Sequence, residues 1–235
     1  MYTVAIVGLG SRGYHTYAKY QHEHRETMKI VAIADIDANK VLEAKKEFNV
    51  PDNMCFDSAE SLLSQDKLAD VIFIATQDRD HVRQALIALD KGYDILLEKP
   101  ISPNLDECIE LEKKVKETKR LVVVCHVLRY APFYTKIKEI IDSKIIGDIV
   151  TLDAVENVGY WHQAHSFVRG NWRNSNTTSP MILQKSCHDF DIISFLLGKK
   201  CISLSSYGSL KYFNSKNKPQ GATDYCYDCP CKSTC

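Results

Sequence analysis

"TVAIVGLGSRG", residues 3–13, carries an apolar strand straight into a glycine-rich turn. Gly8, Gly10 and Gly13 stand in G-x-G-x-x-G register, directly after that strand and before a helical pattern. Each has a separate physical use: Gly8 permits a tight turn, Gly10 lets backbone approach a pyrophosphate, and Gly13 lets helix and strand pack closely. The helix that follows offers free N–H groups and a positive dipole end to phosphates. Ser11 lies inside this loop, and Arg12 is either a second phosphate contact or a solvated side chain. Asp35 ends the next apolar strand, 22 residues beyond Gly13, where a carboxylate can accept hydrogen bonds from an adenosine ribose. An acid at that place repels a 2′-phosphate and so favours NAD over NADP. The competing reading is a tight strand–helix turn with a capping aspartate; strand, loop, helix and acid together favour the nucleotide.

Outward from the loop, short apolar runs alternate with helical periodicity. "IVAIAD" (30–35), "ADVIFIAT" (69–76), "YDILLE" (93–98) and "RLVVVCH" (120–126) read as strands buried on both faces, as a parallel sheet between helices requires. Repeated β-α units of this size imply an α/β, Rossmann-type doubly wound parallel sheet over residues 1–126. From Pro132 the pattern changes to an amphipathic helix, then to a longer alternating run, "GDIVTLDAVENV" (147–158), expected as a strand with one solvated face. A second domain is therefore expected over residues 127–235.

The composition narrows the function. The chain has 235 residues, 45% hydrophobic, which suffices for a buried core. Thirty basic residues balance thirty acidic ones, so no global field favours nucleic acid or an anionic membrane. The apolar runs are strand-sized, and the N-terminus enters a strand with no apolar leader, so a cytoplasmic location is expected.

Four motifs, in order, carry a resemblance: "GLGSRG", "ATQDRDH" (75–81), "EKPIS" (98–102) and "CHDFD" (187–191). Together they resemble the Gfo/Idh/MocA family of nicotinamide-dependent oxidoreductases. The resemblance implies that Lys99 sits beside the nicotinamide and contacts the hydroxyl being oxidised, with Thr76, His81 and Glu98 near the cofactor. A nearby ammonium stabilises a developing alkoxide, which fits that role. Glu98 either pairs with Lys99 or caps the next segment. His188 matches the family histidine and is the candidate general acid/base. The family places an aspartate four residues before it; here that residue is Gln184, with Lys185 beside it as a substitute charge and Asp191 as a candidate to orient the imidazole. The resemblance also implies a second domain built on an open α+β sheet, C-terminally incomplete in this chain, and a homo-oligomer when that domain is complete.

"GYWHQAHSFVRGNWR" (159–173) suits a polyhydroxylated ligand, with His162, His165, Arg169 and Trp172 as candidate contacts and a self-packed aromatic loop as the alternative. Arg129 and Tyr130 are candidates for the pocket edge. His162 and His165 lack a third ligand, so no metal is expected there. Cys226, Cys229, Cys231 and Cys235 form a C-x2-C-x-C-x3-C run that leaves zinc or iron–sulfur binding open as a lesser reading. The functional expectation is an NAD-dependent oxidoreductase acting on a sugar, cyclitol or related polyol. The alternatives are a nucleotide-binding module without turnover and a redox-cycling, NAD-dependent glycosidase on the same scaffold.

Overall fold

A computed structural model describes residues 1–234; Cys235, the last member of the cysteine run, lies outside the described residues. Six strands form one parallel sheet: β1 (Tyr2–Val7), β2 (Met28–Ala34), β3 (Cys55–Phe56), β4 (Val71–Ile74), β5 (Asp94–Leu97) and β6 (Val122–Val124). Their spatial order is β3-β2-β1-β4-β5-β6, so the chain reverses direction across the sheet between β1 and β4. A doubly wound sheet opens its ligand crevice at that switch point, beyond the carboxyl ends of the strands.

The helices of this half are α1 (Tyr20–Glu23), α2 (Ala38–Phe48), α3 (Ala59–Ser64), α4 (His81–Asp90) and α5 (Leu105–Thr118). Strand alternation sends side chains to both faces, and each face has its own core. Ala5, Val7, Ile72, Ile74, Ile95 and Leu97 pack against α3, α4 and α5 on one side. Val4, Ile6, Ile30 and Ile33 pack against Tyr14, Ala44 and Phe48 on the other. Caps fix the helix starts: the side chains of Asp37, Ser58 and Asn104 accept from backbone N–H groups at the starts of α2, α3 and α5.

Residues 127–198 belong to the same compact unit as this sheet. They contribute α6 (Pro132–Asp142), α7 (Tyr160–Gln163) and α8 (Met181–Leu197). The strand expected at 147–158 is not formed; Val150 is 92% and Val155 80% exposed. A strand exists by pairing, and no partner strand lies beside this segment among the described residues. Residues 199–234 form a separate small unit, with a single helical turn at Ser215–Asn217 started by the Asn214 side chain.

The glycine loop closes as tightly as its spacing requires. Gly8 has φ +88°, and a Cβ there would lie 2.5 Å from the Ala75 carbonyl oxygen on the neighbouring strand end. A Cβ on Gly13 would lie 1.8 Å from the Gly8 carbonyl oxygen, while one on Gly10 would meet nothing within 4 Å. The first two glycines thus serve packing and the middle one leaves room. Gly13→Ala is expected to push the helical segment Ser11–Ala18 off β1 and destabilise the chain by about 1–3 kcal/mol in chemical denaturation, as overpacking does.

Candidate functional site

The carboxyl ends of β1, β4 and β5 border a cleft of about 900 Å³. One wall is the glycine loop and the first turns after it, with Gly10, Ser11 and Arg12. The floor is the end of β4 and of β5, including Thr76, Asp78, Glu98 and Lys99. The far wall is built by the second half of the chain: His162, Phe167, Trp172, Gln184 and Lys185.

Asp35 is 9% exposed and holds the loop itself. Its Oδ2 accepts from the Leu9 N–H at 2.6 Å and its Oδ1 from the Asp37 N–H at 2.9 Å. Lys40 approaches to 3.9 Å and stands on the cleft rim. The acid expected to meet a ribose therefore has backbone partners already, which fixes the loop's shape before any ligand arrives.

Lys99 leaves β5 next to Pro100, with a cis peptide between them. Its ammonium donates to the Gln184 backbone oxygen at 3.0 Å and to Gln184 Oε1 at 3.2 Å. Glu98 does not pair with that ammonium. One of its oxygens accepts from the Lys99 backbone N–H at 3.0 Å, and the other takes the Tyr17 hydroxyl. Burial, the neighbouring Cys125 and Glu98 hold the Tyr17 phenol far above its usual range, so it stays a donor. Burial likewise pushes the Cys125 thiol up to about 11. His81, 1% exposed, turns one ring nitrogen to the Pro100 oxygen at 2.9 Å and the other to the Thr76 oxygen at 3.1 Å. It joins the two strand-end loops, a structural task beside the cofactor contact expected of it.

The residue in the family's aspartate position finds its carboxylate elsewhere. Gln184 Nε2 donates to Asp78 Oδ2, which also receives the Ser179 N–H at 2.9 Å and the Ser179 hydroxyl. Asp78, 3% exposed, and Gln184, 4% exposed, thus link the β4 end to α8 and on to Lys99. The sequence reading missed Asp78, although it lies in the quoted "ATQDRDH"; nothing local joins it to a residue 106 positions later. The other oxygen of Asp78 is buried without a partner.

His188 lies one turn beyond Gln184 and is absent from the cleft lining. It faces His126 edge-on, with 6.1 Å between ring centres, and its Nδ1 is buried without a partner. Asp191, expected to orient it, instead accepts two hydrogen bonds from Arg129, at 2.8 and 2.6 Å. Burial first, then the positive charges of Lys99, Lys185 and Arg12 and the neighbouring His126, push the His188 imidazolium down to about 4. Burial and Lys185 lower His162 in the same way.

Of the expected substrate contacts, His162, Trp172 and Lys185 line the cleft. Arg129 is bound to Asp191, Tyr130 is 74% exposed, and His165 and Arg169 are exposed; none of these four lines it. Their short sequence distance from cleft residues is undone by helical geometry, which turns neighbours to different sides. Among the described residues no three His, Cys, Asp or Glu side chains come together as metal ligands. No helix among them is long and apolar enough to cross a membrane.

Two family models match the chain. One, described as the NAD-binding Rossmann fold of an oxidoreductase family, covers residues 2–126; the other, its C-terminal alpha/beta domain, covers residues 138–228. The scyllo-inositol 2-dehydrogenase (NAD(+)) of Bacillus subtilis is 26% identical over 88% of this chain and 57% of its own length. An inositol 2-dehydrogenase of Corynebacterium glutamicum is 26% identical over 86% of this chain and 56% of its own. Among solved structures, scyllo-inositol dehydrogenase from Lactobacillus casei with NAD(H) and scyllo-inositol superposes with TM-score 0.68 at 24% identity, covering 85% of this chain and 57% of that one. The WlbA dehydrogenase from Chromobactrium violaceum, in complex with NADH and UDP-GlcNAcA, gives 0.66 at 19% identity, covering 83% and 55%. These structures share the fold, and the chain spans little more than half the length of each relative.

Two outcomes follow from the wall's geometry. Because His188 is held at about 4 against an ordinary 6.5, the folded state binds fewer protons between those values than the unfolded state does. Its contribution to stability is full above about 6.5 and is lost as pH falls through about 4. Proton NMR of the His188 ring should show its titration near 4, and His188→Gln should flatten that part of the stability profile. Gln184→Leu leaves the buried Asp78 with one donor fewer and should cost about 1–3 kcal/mol in thermal or chemical denaturation.

Proposed function

From its membership of the Gfo/Idh/MocA oxidoreductase family, we propose that this chain binds NAD and oxidises a CH–OH group of a sugar, cyclitol or related polyol. The observation that carries the reading is the position of Lys99. Its ammonium lines the cleft at the β5 end, opposite the glycine loop, and is held by neutral acceptors rather than by an acid. The residues fit a dinucleotide: a Cβ-free approach at Gly10, free N–H groups at the start of the helical segment Ser11–Ala18, and a large adjoining cleft. In this reading residues 1–126 hold the cofactor and residues 127–198 supply the substrate side.

The dinucleotide supplies the hydride acceptor. Lys99 donates to the reacting hydroxyl and stabilises negative charge as it develops on that oxygen. Gln184 keeps the ammonium on station, because its amide is itself fixed by Asp78. His188 stands in the family's proton-acceptor position and is neutral at ordinary pH, although it lies outside the cleft lining. NAD is favoured over NADP by the Asp35 carboxylate at the end of β2, against the pull of Arg12 and Lys40 on the rim.

Titration with NADH and NADPH, followed by nicotinamide fluorescence, tests the cofactor. Saturable binding that prefers NADH is expected; a preference for NADPH assigns Arg12 and Lys40 to a 2′-phosphate instead. Lys99→Met should keep NADH affinity within about threefold while lowering polyol turnover by about 10²-fold or more, in line with loss of one charge-stabilising donor. Undiminished turnover in that variant removes Lys99 from the chemistry. Net conversion of NAD with each substrate molecule separates this reading from a redox-cycling glycosidase.

A further inference from the structure

The far wall of the cleft has more hydrogen-bond donors than acceptors to meet them. The Lys185 ammonium lies 3.0 Å from His162 Nε2 and 5.8 Å from the centre of the Phe167 ring. An ammonium carries three N–H donors; the imidazole takes one, and among the described residues no protein acceptor takes the rest. Lys185 has no acid within ion-pair distance. Glu156 acts on it from further away, and Lys99 and Arg12 oppose its charge. The Trp172 indole N–H, also in this wall, is buried without an acceptor.

The acids of the cleft do not answer these donors. One oxygen of Asp78 is committed to Ser179 and Gln184 and the other is buried without a partner, Glu98 is committed to Tyr17 and the Lys99 backbone, and Glu43 accepts from the Tyr14 hydroxyl. Half-buried ammonium groups left without a counter-charge are costly unless a ligand provides one.

We infer that the polyol substrate carries a carboxylate, as a uronic or aldonic acid does, and that Lys185, seated on His162, is the residue that binds it. A carboxylate is an acceptor-only group with room for several donors, which matches a wall of unanswered N–H groups. It takes charge-assisted hydrogen bonds from Lys185, while Lys99 remains with the reacting hydroxyl. His162 is kept neutral by burial and by Lys185, so its ring nitrogen accepts from the ammonium and aims it. A phosphoryl group fits less well. It calls for more donors, commonly an arginine fork or a helix N-terminus; Lys185 lies in the second turn of α8, and Arg12, the arginine in the cleft lining, belongs to the glycine loop that the dinucleotide takes in this reading. The inference rests on the proposed polyol reading for its substrate and goes beyond it by naming the substituent and its anchor.

The test is calorimetric titration of the full chain at pH 7 and low salt. D-glucuronate and D-galacturonate are compared with D-glucose and D-galactose, each with and without saturating NADH, and D-glucose 6-phosphate is a separate arm. The uronates are expected to bind at least tenfold more tightly than the neutral sugars. Lys185→Met, shown folded by its melting curve, should lose at least tenfold in uronate affinity, and Lys185→Arg should recover most of it. Equal affinity for uronates and neutral sugars overturns the inference, as do absence of uronate binding, tighter binding of the sugar phosphate, or an unchanged uronate affinity in Lys185→Met. NADH binding is read in the same cells. Its absence overturns the dinucleotide reading, while the uronate-to-sugar ratio still decides the carboxylate.

Discussion

Asp78 brings a carboxylate into a place where 3% of its surface meets solvent, and the substrate side of the cleft is assembled around it. A buried carboxylate is tolerated where donors meet it, and three converge on one of its oxygens: the Ser179 N–H, the Ser179 hydroxyl and the Gln184 amide. Those donors come from the segment leading into α8 and from α8 itself. The first turns of that helix are thereby set against the end of β4, and Lys99 finds its two acceptors on Gln184. Arg79 adds a second tie by donating to the Ser175 oxygen at 2.7 Å. Without the carboxylate there would be little reason for α8 to present Gln184 and Lys185 to the cleft.

What the sequence reveals of this arrangement follows the range of the interactions involved. Five of the six strands and the glycine loop rest on local signals: apolar runs buried on both faces, and glycines whose missing Cβ atoms would collide with Ala75 and Gly8; the two-residue β3 carries no such run. Lys99 is legible because a strand end aims it. The pairing of Gln184 with Asp78 is not, since two polar residues far apart carry no period or spacing that joins them. Asp191 shows the opposite failure: it stands one turn from His188 in sequence, yet Arg129 offers a two-pronged partner and takes it. The run at 147–158 has a strand's alternation but no neighbour to pair with, and alternation alone does not make a sheet.

Electrostatics distinguishes this wall from a plain carboxylate–histidine site. With an amide at position 184, no acid directly faces His188, and the surrounding charges reaching it are positive. Histidines there remain neutral below their ordinary range, His188 down to about 4. They can accept protons or hydrogen bonds, and they cannot serve as the wall's positive charges, which are left to Lys99 and Lys185.

The Tyr17 hydroxyl is bound by Glu98, and Glu98 also holds the backbone of Lys99. Tyr17 belongs to the wide-turned helical segment Ser11–Ala18 that issues from the glycine loop. The element that would cradle one ligand is thus braced against the residue that would act on the other. Freezing the long lysine stem is entropically costly when it happens during binding. Here much of that ordering is complete once the chain has folded, so neither ligand has to await the other to find Lys99 in position.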